Sequence, residues 1–309
     1  MASISTSEPS GKTLQSGLLA GLAAYTLWGF LPLVFKLVEH VPSAAVVADR
    51  TLFSLVLVGI ILAAAGRLGE VRAALADGKT LRSMLTSSLI LGVNWLIYVY
   101  AVESGQVLET SFGYFINPLA NVALGMLLLG ERLNRMQALA IGIAIIAIGI
   151  QAIGLAGIPV VALSLAGTFA AYGYFRKTAA VGSAAGLFAE TLLLAPLALG
   201  YLAWTFIADG GPGPHADLMT VGLLALTGPA TAVPLLLFAY AVQRLRLTTI
   251  GMLQYAAPSI AFVLAIAVFG EQLNPLRLLG FALIWVSLAI YSADSFMRRR
   301  AAEAGSPQA

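Results

Sequence analysis

The sequence predicts an all-α polytopic membrane protein of ten transmembrane helices, arranged as two inverted repeats of five. Three observations carry this. Of 309 residues, 60% are hydrophobic and only 10% charged, against roughly 45–50% and 25% in a soluble domain. The apolar residues form ten continuous runs near the length of about 20 that a bilayer-crossing helix needs. They do not alternate as the strands of a barrel would. Finally, a set of residues returns at a constant shift of 140 positions.

The elements follow in chain order. Residues 1–16 are Ser/Thr-rich, carry Lys12 and read as a disordered tail. The first apolar run, 17–38, is too long for a signal-peptide core and reads as an uncleaved helix. Further runs span 44–66, 84–102, 107–129, 136–154, 159–177, 184–207, 218–243, 248–269 and 276–297. The first repeat is therefore 17–154, the second 159–297, and 298–309 a second tail. The longest polar interval, 67–83, is too short for a domain.

Lysine and arginine sort by connection. Lys12 lies in the N-terminal tail, and Arg67, Arg72, Lys79 and Arg82 follow the second run. Arg132 and Arg135 follow the fourth, Arg176 and Lys177 the sixth, Arg244 and Arg246 the eighth; Arg298, Arg299 and Arg300 follow the tenth. The other set of connections offers only Arg277, while Lys36 and Arg50 lie within runs. Positive loops stay in the cytoplasm, so both termini are expected there. The net charge of +3 is thus a topology signal. The expected partners are the lipid bilayer and a small-molecule substrate, with no nucleic acid.

What is missing excludes chemistry. There is no cysteine, and the two histidines, His40 and His215, fall in expected loops. Thiolate chemistry, a histidine metal site within the membrane and histidine base catalysis there are excluded. No Walker-type phosphate loop, Gly-x-Ser-Gly serine site, Gly-x-Gly-Asp aspartyl pair or Asp-rich diphosphate motif occurs. No catalytic residue, metal or cofactor is expected.

The repeat is read by laying 94–150 over 234–290 without a gap. Tyr100-Ala101-Val102 falls on Tyr240-Ala241-Val242, Pro118 on Pro258, and Gly130-Glu131-x-Leu133-Asn134 on Gly270-Glu271-x-Leu273-Asn274. The Gly-Glu-x-Leu-Asn strings read as helix stops and caps of a tight turn. Five helices is an odd number, so the second half enters from the opposite side. Inverted repeats characterise secondary transporters, whose site lies near the midplane between the halves.

Ionisable groups inside the membrane cost about 2.5–3.5 kcal/mol on insertion scales, so each needs a reason. Arg50 lies six residues into the second run, roughly 9 Å deep. Glu190 lies similarly deep in the seventh run, from the other side, and the shift of 140 places Arg50 on Glu190 and Thr51 on Thr191. One charged group facing each vestibule is the functional reading, with Glu190 the candidate for proton coupling. The alternative is that Arg50 snorkels outward beside Asp49 and Glu190 pairs with Lys177.

The remaining candidates are polar or aromatic. Thr110, Tyr114, Asn117 and Asn121 share one face of the fourth run. Pro118 within it frees the carbonyl of Tyr114. Gln254 lies on the corresponding face of the ninth run, followed by Ala257 and Ala261. Tyr25, Trp28 and Pro32 share a side of the first run, and Asn94 and Tyr98 a side of the third, with Trp95 adjacent. Tyr172 is central in the sixth, and Pro229 and Pro234 mark the eighth as a kinked, gate-forming helix. The expected substrate-binding set is Tyr25, Trp28, Arg50, Asn94, Tyr98, Tyr114, Asn117, Asn121, Tyr172 and Gln254.

Longer strings carry a resemblance. LAAYTLWGFLPLVFKL at 22–37, NWLIYVYAVESGQVLETSFGYFINPLANVALGMLLLGER at 94–132, RLRLTTIGMLQYAAPS at 244–259 and LIWVSLAI at 283–290 resemble the EamA family of the drug/metabolite transporter superfamily. The resemblance covers about 14–297, with GYFINP its most specific part. It implies ten helices, two repeats, a bacterial inner-membrane location and transport of a small metabolite. The chain departs from the family at Asp49, where a histidine is frequent. The expectation is an inner-membrane secondary transporter of a small polar or amphipathic metabolite or drug, using alternating access, and not an enzyme. Its competitors are a channel-like permease and a non-transporting scaffold.

Overall fold

A computed structural model describes residues 11–104, 106–153, 158–268 and 275–304. Among them every regular element is helical. The helices are α1 (Gly11–Leu37), α2 (Ser43–Ala64), α3 (Leu68–Ala76), α4 (Gly78–Glu103), α5 (Val107–Leu129), α6 (Arg135–Gln151), α7 (Val160–Thr178), α8 (Ser183–Ala208), α9 (Leu218–Val242), α10 (Leu247–Gln254), α11 (Ala256–Ala267) and α12 (Pro275–Ala304), with a 3-10 turn at Gly213–Ala216. Eight spans are long and apolar enough to cross a membrane, counting α10 and α11 together as Leu247–Ala267. The shorter apolar α6 and the 19-residue α7 stand at the other two of the ten expected crossings.

Four boundaries differ from the sequence reading. The first helix begins at Gly11, inside the expected tail. The last continues to Ala304, where Arg298 Nε reaches back 3.1 Å to Asp294, a favourable i,i+4 pair. The polar interval 67–83 contains α3, which buries Val71 and Ala74 against α8. The ninth run is two helices joined at Tyr255. Pro258 offers no N–H to the carbonyl of Gln254, and the break falls there. Pro118, its counterpart, sits in an unbroken α5.

The repeat keeps its register at the starts of the second to fifth expected crossings of each half. Ser43 and Ser183, Gly78 and Leu218, Val107 and Leu247, Arg135 and Pro275 open equivalent helices, each pair 140 apart. Asp77 accepts from Thr80 N (2.8 Å) and Oγ1 (2.7 Å), and Asp217 accepts from Thr220 N and Oγ1 at the same distances. These bonds hold both carboxyls below the usual carboxylate range.

Packing obeys the same exchange. α1 packs on α9 and α11, while its equivalent α7 packs on α4 and α5. α2 meets α8, α5 meets α10, and α6 meets α12. Each half thus inserts its first helix into the other, and equivalent helices touch across the pseudo-twofold axis. The α6–α12 pair closes on Ala140, Ala144 and Ala147, all fully buried. Small residues let membrane helices approach, and Ser287 Oγ donates to the Ala140 carbonyl at 2.6 Å.

The first Gly-Glu-x-Leu-Asn string does what its residue types suggest. Gly130 closes α5 at φ 64°, and Glu131 N–H returns to the Gly125 carbonyl at 2.9 Å. Asn134 opens α6 with a reciprocal capping box to Gln137. The second string, 270–274, lies outside the described residues.

Candidate functional site

Two charged centres sit at pseudo-equivalent places. Each lies seven residues into its helix, Arg50 from Ser43 and Glu190 from Ser183, but they face opposite sides of the bundle. We call the side bearing Gly11 and Ala304 the termini face.

Near the termini face the centre is closed. Glu190 is 0% exposed. It accepts from Ser87 Oγ on α4 at 2.5 Å and from Tyr172 OH on α7 at 3.2 Å. Arg176 Nη1 stands 3.7 Å from it. The alternative partner read from the sequence, Lys177, points elsewhere and donates to the Val242 and Leu245 carbonyls at the end of α9. Cations favour that helix end. Arg176 is itself fully buried, and room for it comes from a glycine. A Cβ on Gly186 would lie 2.0 Å from Arg176 Nη1.

Above this centre lies an aromatic floor. Tyr25 and Trp28 of α1, Phe169 and Tyr172 of α7, and Phe238 of α9 touch one another at ring-centroid distances of 5.4–6.3 Å. Such pairs add about 0.5–1.5 kcal/mol each beyond burial. The floor joins both halves. Tyr25 OH is buried without a partner.

On the opposite side the centre is open. The Arg50 guanidinium lies 4.2 Å over the Trp95 ring, and its Nε has no partner. A cavity of about 220 Å³ there is lined by Arg50, Tyr98, Glu39 and Ser43 among apolar residues of α1, α2 and α4 and the turn between α1 and α2. Tyr98 and Tyr114 both lie within electrostatic reach of the guanidinium. Asp49, its chain neighbour, turns away and meets His215 at 3.0 Å. His40 meets Thr220 at 3.2 Å. Both histidines therefore join the two halves on this side.

The α5 face divides. Tyr114 is half exposed and lies within electrostatic reach of Arg50. Asn117 is buried with Oδ1 unpartnered, and Thr110 is buried. Asn121 Nδ2 donates to Gln254 Oε1 at 2.8 Å, so these two satisfy each other across α5 and α10. Asn94 donates to the Leu165 carbonyl at 3.0 Å and to Thr168 Oγ1 at 2.8 Å, which fixes α4 to α7. Of the ten expected binding residues, then, Arg50, Tyr98 and Tyr114 gather at the open centre. Tyr25, Trp28 and Tyr172 form the floor, Asn94, Asn121 and Gln254 join helices, and Asn117 stays buried with an unpartnered oxygen.

Residue reasoning missed Phe169, Phe238, Ser87 and Arg176. One signal was available: Tyr98 shifted by 140 falls on Phe238, so a chosen residue pointed to its partner. Nothing in the sequence separates Arg176, buried, from Lys177, its neighbour in the same basic pair.

The EamA-like transporter family matches the chain twice, over 15–153 and 152–293. The chain is 42% identical to a protein of Pseudomonas aeruginosa named uncharacterized transporter PA0485, over 93% of this chain and 96% of that one. It is 39% identical to the protein RarD of Salmonella typhimurium, over 94% and 98%, and 38% identical to RarD of Escherichia coli over the same shares. A solved crystal structure superposes with a TM-score of 0.72 at 19% identity, covering 92% of this chain and 98% of its own.

Proposed function

The chain belongs to the EamA-like transporter family, and from that premise we propose that it is an inner-membrane secondary transporter. It carries a small polar or amphipathic metabolite or drug by alternating access between its two halves. Lys and Arg gather on the termini face, so that face is cytoplasmic in this reading.

One observation carries the proposal. In a strictly symmetric molecule, equivalent positions would be equally exposed. Here Tyr114 is 50% exposed, while Gln254, its equivalent 140 residues on, is 5% exposed. Tyr98 lines a cavity, while its equivalent Phe238 is fully buried. One fold position is open on one side and shut on the other, as one state of a two-state carrier requires. A channel needs no such asymmetry, and a scaffold needs no unpartnered polar groups at depth.

The native chain has no cysteine, which makes labelling clean. In intact spheroplasts an impermeant maleimide is expected to react with Gly211→Cys and Tyr114→Cys, and not with Gly78→Cys or Gln254→Cys. Labelling of Gly78→Cys but not Gly211→Cys would reverse the orientation. Equal labelling at 114 and 254 would remove the one-sided state. Saturable flux in proteoliposomes separates carrier from channel.

Asn117 supplies a further test. Its buried, unpartnered Oδ1 lies one residue before Pro118, in the α5 segment that flanks the open centre. A hydrogen bond there is worth about 0.5–1.5 kcal/mol, or roughly three- to tenfold in affinity. Asn117→Ala is expected to raise the half-saturation concentration several-fold with little change in melting temperature. A lower melting temperature with unchanged half-saturation would assign Asn117 to the scaffold.

A further inference from the structure

We propose that the Arg50 cavity binds the anionic group of the transported solute, so that the substrate is an organic anion with its carboxylate on the guanidinium. This rests on the transporter reading above and names its substrate class. Arg50 is 8% exposed, and a charge taken so far out of water needs a partner. Among the described residues it makes no ion pair. The two carboxylates nearest in the chain are engaged elsewhere: Asp49 with His215 at 3.0 Å and Glu39 with Lys36 at 2.6 Å.

The contrast with the other half is direct. Glu190, at the equivalent position, has Arg176, Ser87 and Tyr172 around it. Arg50 has the Trp95 ring beneath it at 4.2 Å and a partnerless Nε. A guanidinium held over an aromatic face keeps its N–H donors, and their fork matches a carboxylate bidentately. Two phenols, Tyr98 and Tyr114, stand within electrostatic reach of the same group and can donate to the second face of an anion. Glu39 and Ser43 also line the cavity, the Glu39 charge being met by Lys36; the rest of the wall is apolar, including Phe35, Val46 and Val99, which suits an anion with an apolar body. The protein supplies the positive charge, and the solute supplies its missing counter-charge.

The test uses full-length protein in proteoliposomes, with a deproteinised small-molecule extract of bacterial cells as the probe. Mass spectrometry sorts the solutes that enter by their charge at neutral pH. The expected result is enrichment of carboxylate-bearing anions over empty liposomes, retained in part by Arg50→Lys and reduced at least tenfold by Arg50→Gln. Enrichment of neutral or cationic solutes by the wild type would overturn the anion proposal and leave the transporter reading standing. That comparison needs no variant, so a misfolded Arg50→Gln protein does not remove it. Equal anion uptake by a folded Arg50→Gln protein would likewise overturn it. No enrichment of any solute would overturn both readings together.

Discussion

Arg176→Gln is expected to destabilise the protein by about 3–5 kcal/mol, the usual cost of removing one partner from a buried ion pair. The guanidinium and the Glu190 carboxylate are both fully buried and stand 3.7 Å apart. Ser87 and Tyr172 satisfy the carboxylate as hydrogen-bond donors, but neither carries charge. Without Arg176, a negative charge would remain on a fully buried side chain. Glu190→Gln should be costly for the mirror reason. The double variant Arg176→Gln/Glu190→Gln should recover most of the loss, because two neutral amides leave no charge unpaired. Thermal melts of the four proteins in one detergent close this cycle. If the double variant is as unstable as the sum of the single ones, the pair is not coupled and each residue acts alone.

The same cycle examines proton coupling. A Glu190→Gln protein with enough stability to reconstitute should lose the pH dependence of transport if Glu190 carries the proton. A wild-type pH profile in that protein would assign the carboxylate to closing the termini face and nothing more.

The membrane class, the helix number and the repeat are legible in the sequence because each rests on many residues at once. Twenty apolar residues in a run outvote any single exception, and the 140-residue shift is carried by rigid markers such as Pro118 and Pro258. Single-residue fates are less legible. Asn94, Asn117 and Asn121 are one residue type at similar depth. One fixes α4 to α7, one leaves an oxygen unpartnered, and one closes on Gln254. Which occurs depends on the facing helix, and helix pairing is not written in the periodicity of either partner. The break at Tyr255 is similar. Pro118 and Pro258 are equivalent in sequence, yet only the second divides its helix. α10 brings Gly251 close enough to α5 that a Cβ there would lie 2.5 Å from the Pro118 carbonyl. That approach is a property of the pair.

Glu131 is the extreme case, and its removal is the second large effect. The sequence places it in a helix-stop string, and Gly130 and Asn134 fill those roles. Glu131 instead crosses to the other half. Its carboxylate accepts from Leu247 N at 2.7 Å and Thr248 N at 2.9 Å, and from the Thr248 hydroxyl. Arg246 Nε lies 3.6 Å away. The start of α10 is therefore capped by the end of α5, its own pseudo-equivalent. A carboxylate at a helix N-terminus also meets the positive end of the helix dipole. Loss of the cap and of one charged hydrogen bond together comes to about 3 kcal/mol. These two helix ends lie on the termini face, and under the proposed alternating access an opening of that face would part them. Glu131→Ala should therefore cost the closed state more than the open one. A difference of about 3 kcal/mol between two states shifts their ratio roughly a hundredfold. In a Glu131→Ala background, Gln254→Cys is thus expected to become reactive to maleimide in inside-out vesicles, while Tyr114→Cys becomes less reactive in spheroplasts. Glu131→Gln, which keeps one acceptor without the charge, should fall between. A lower melting temperature with unchanged labelling at both positions would mean that Glu131 caps α10 in both states and does not hold the termini face shut.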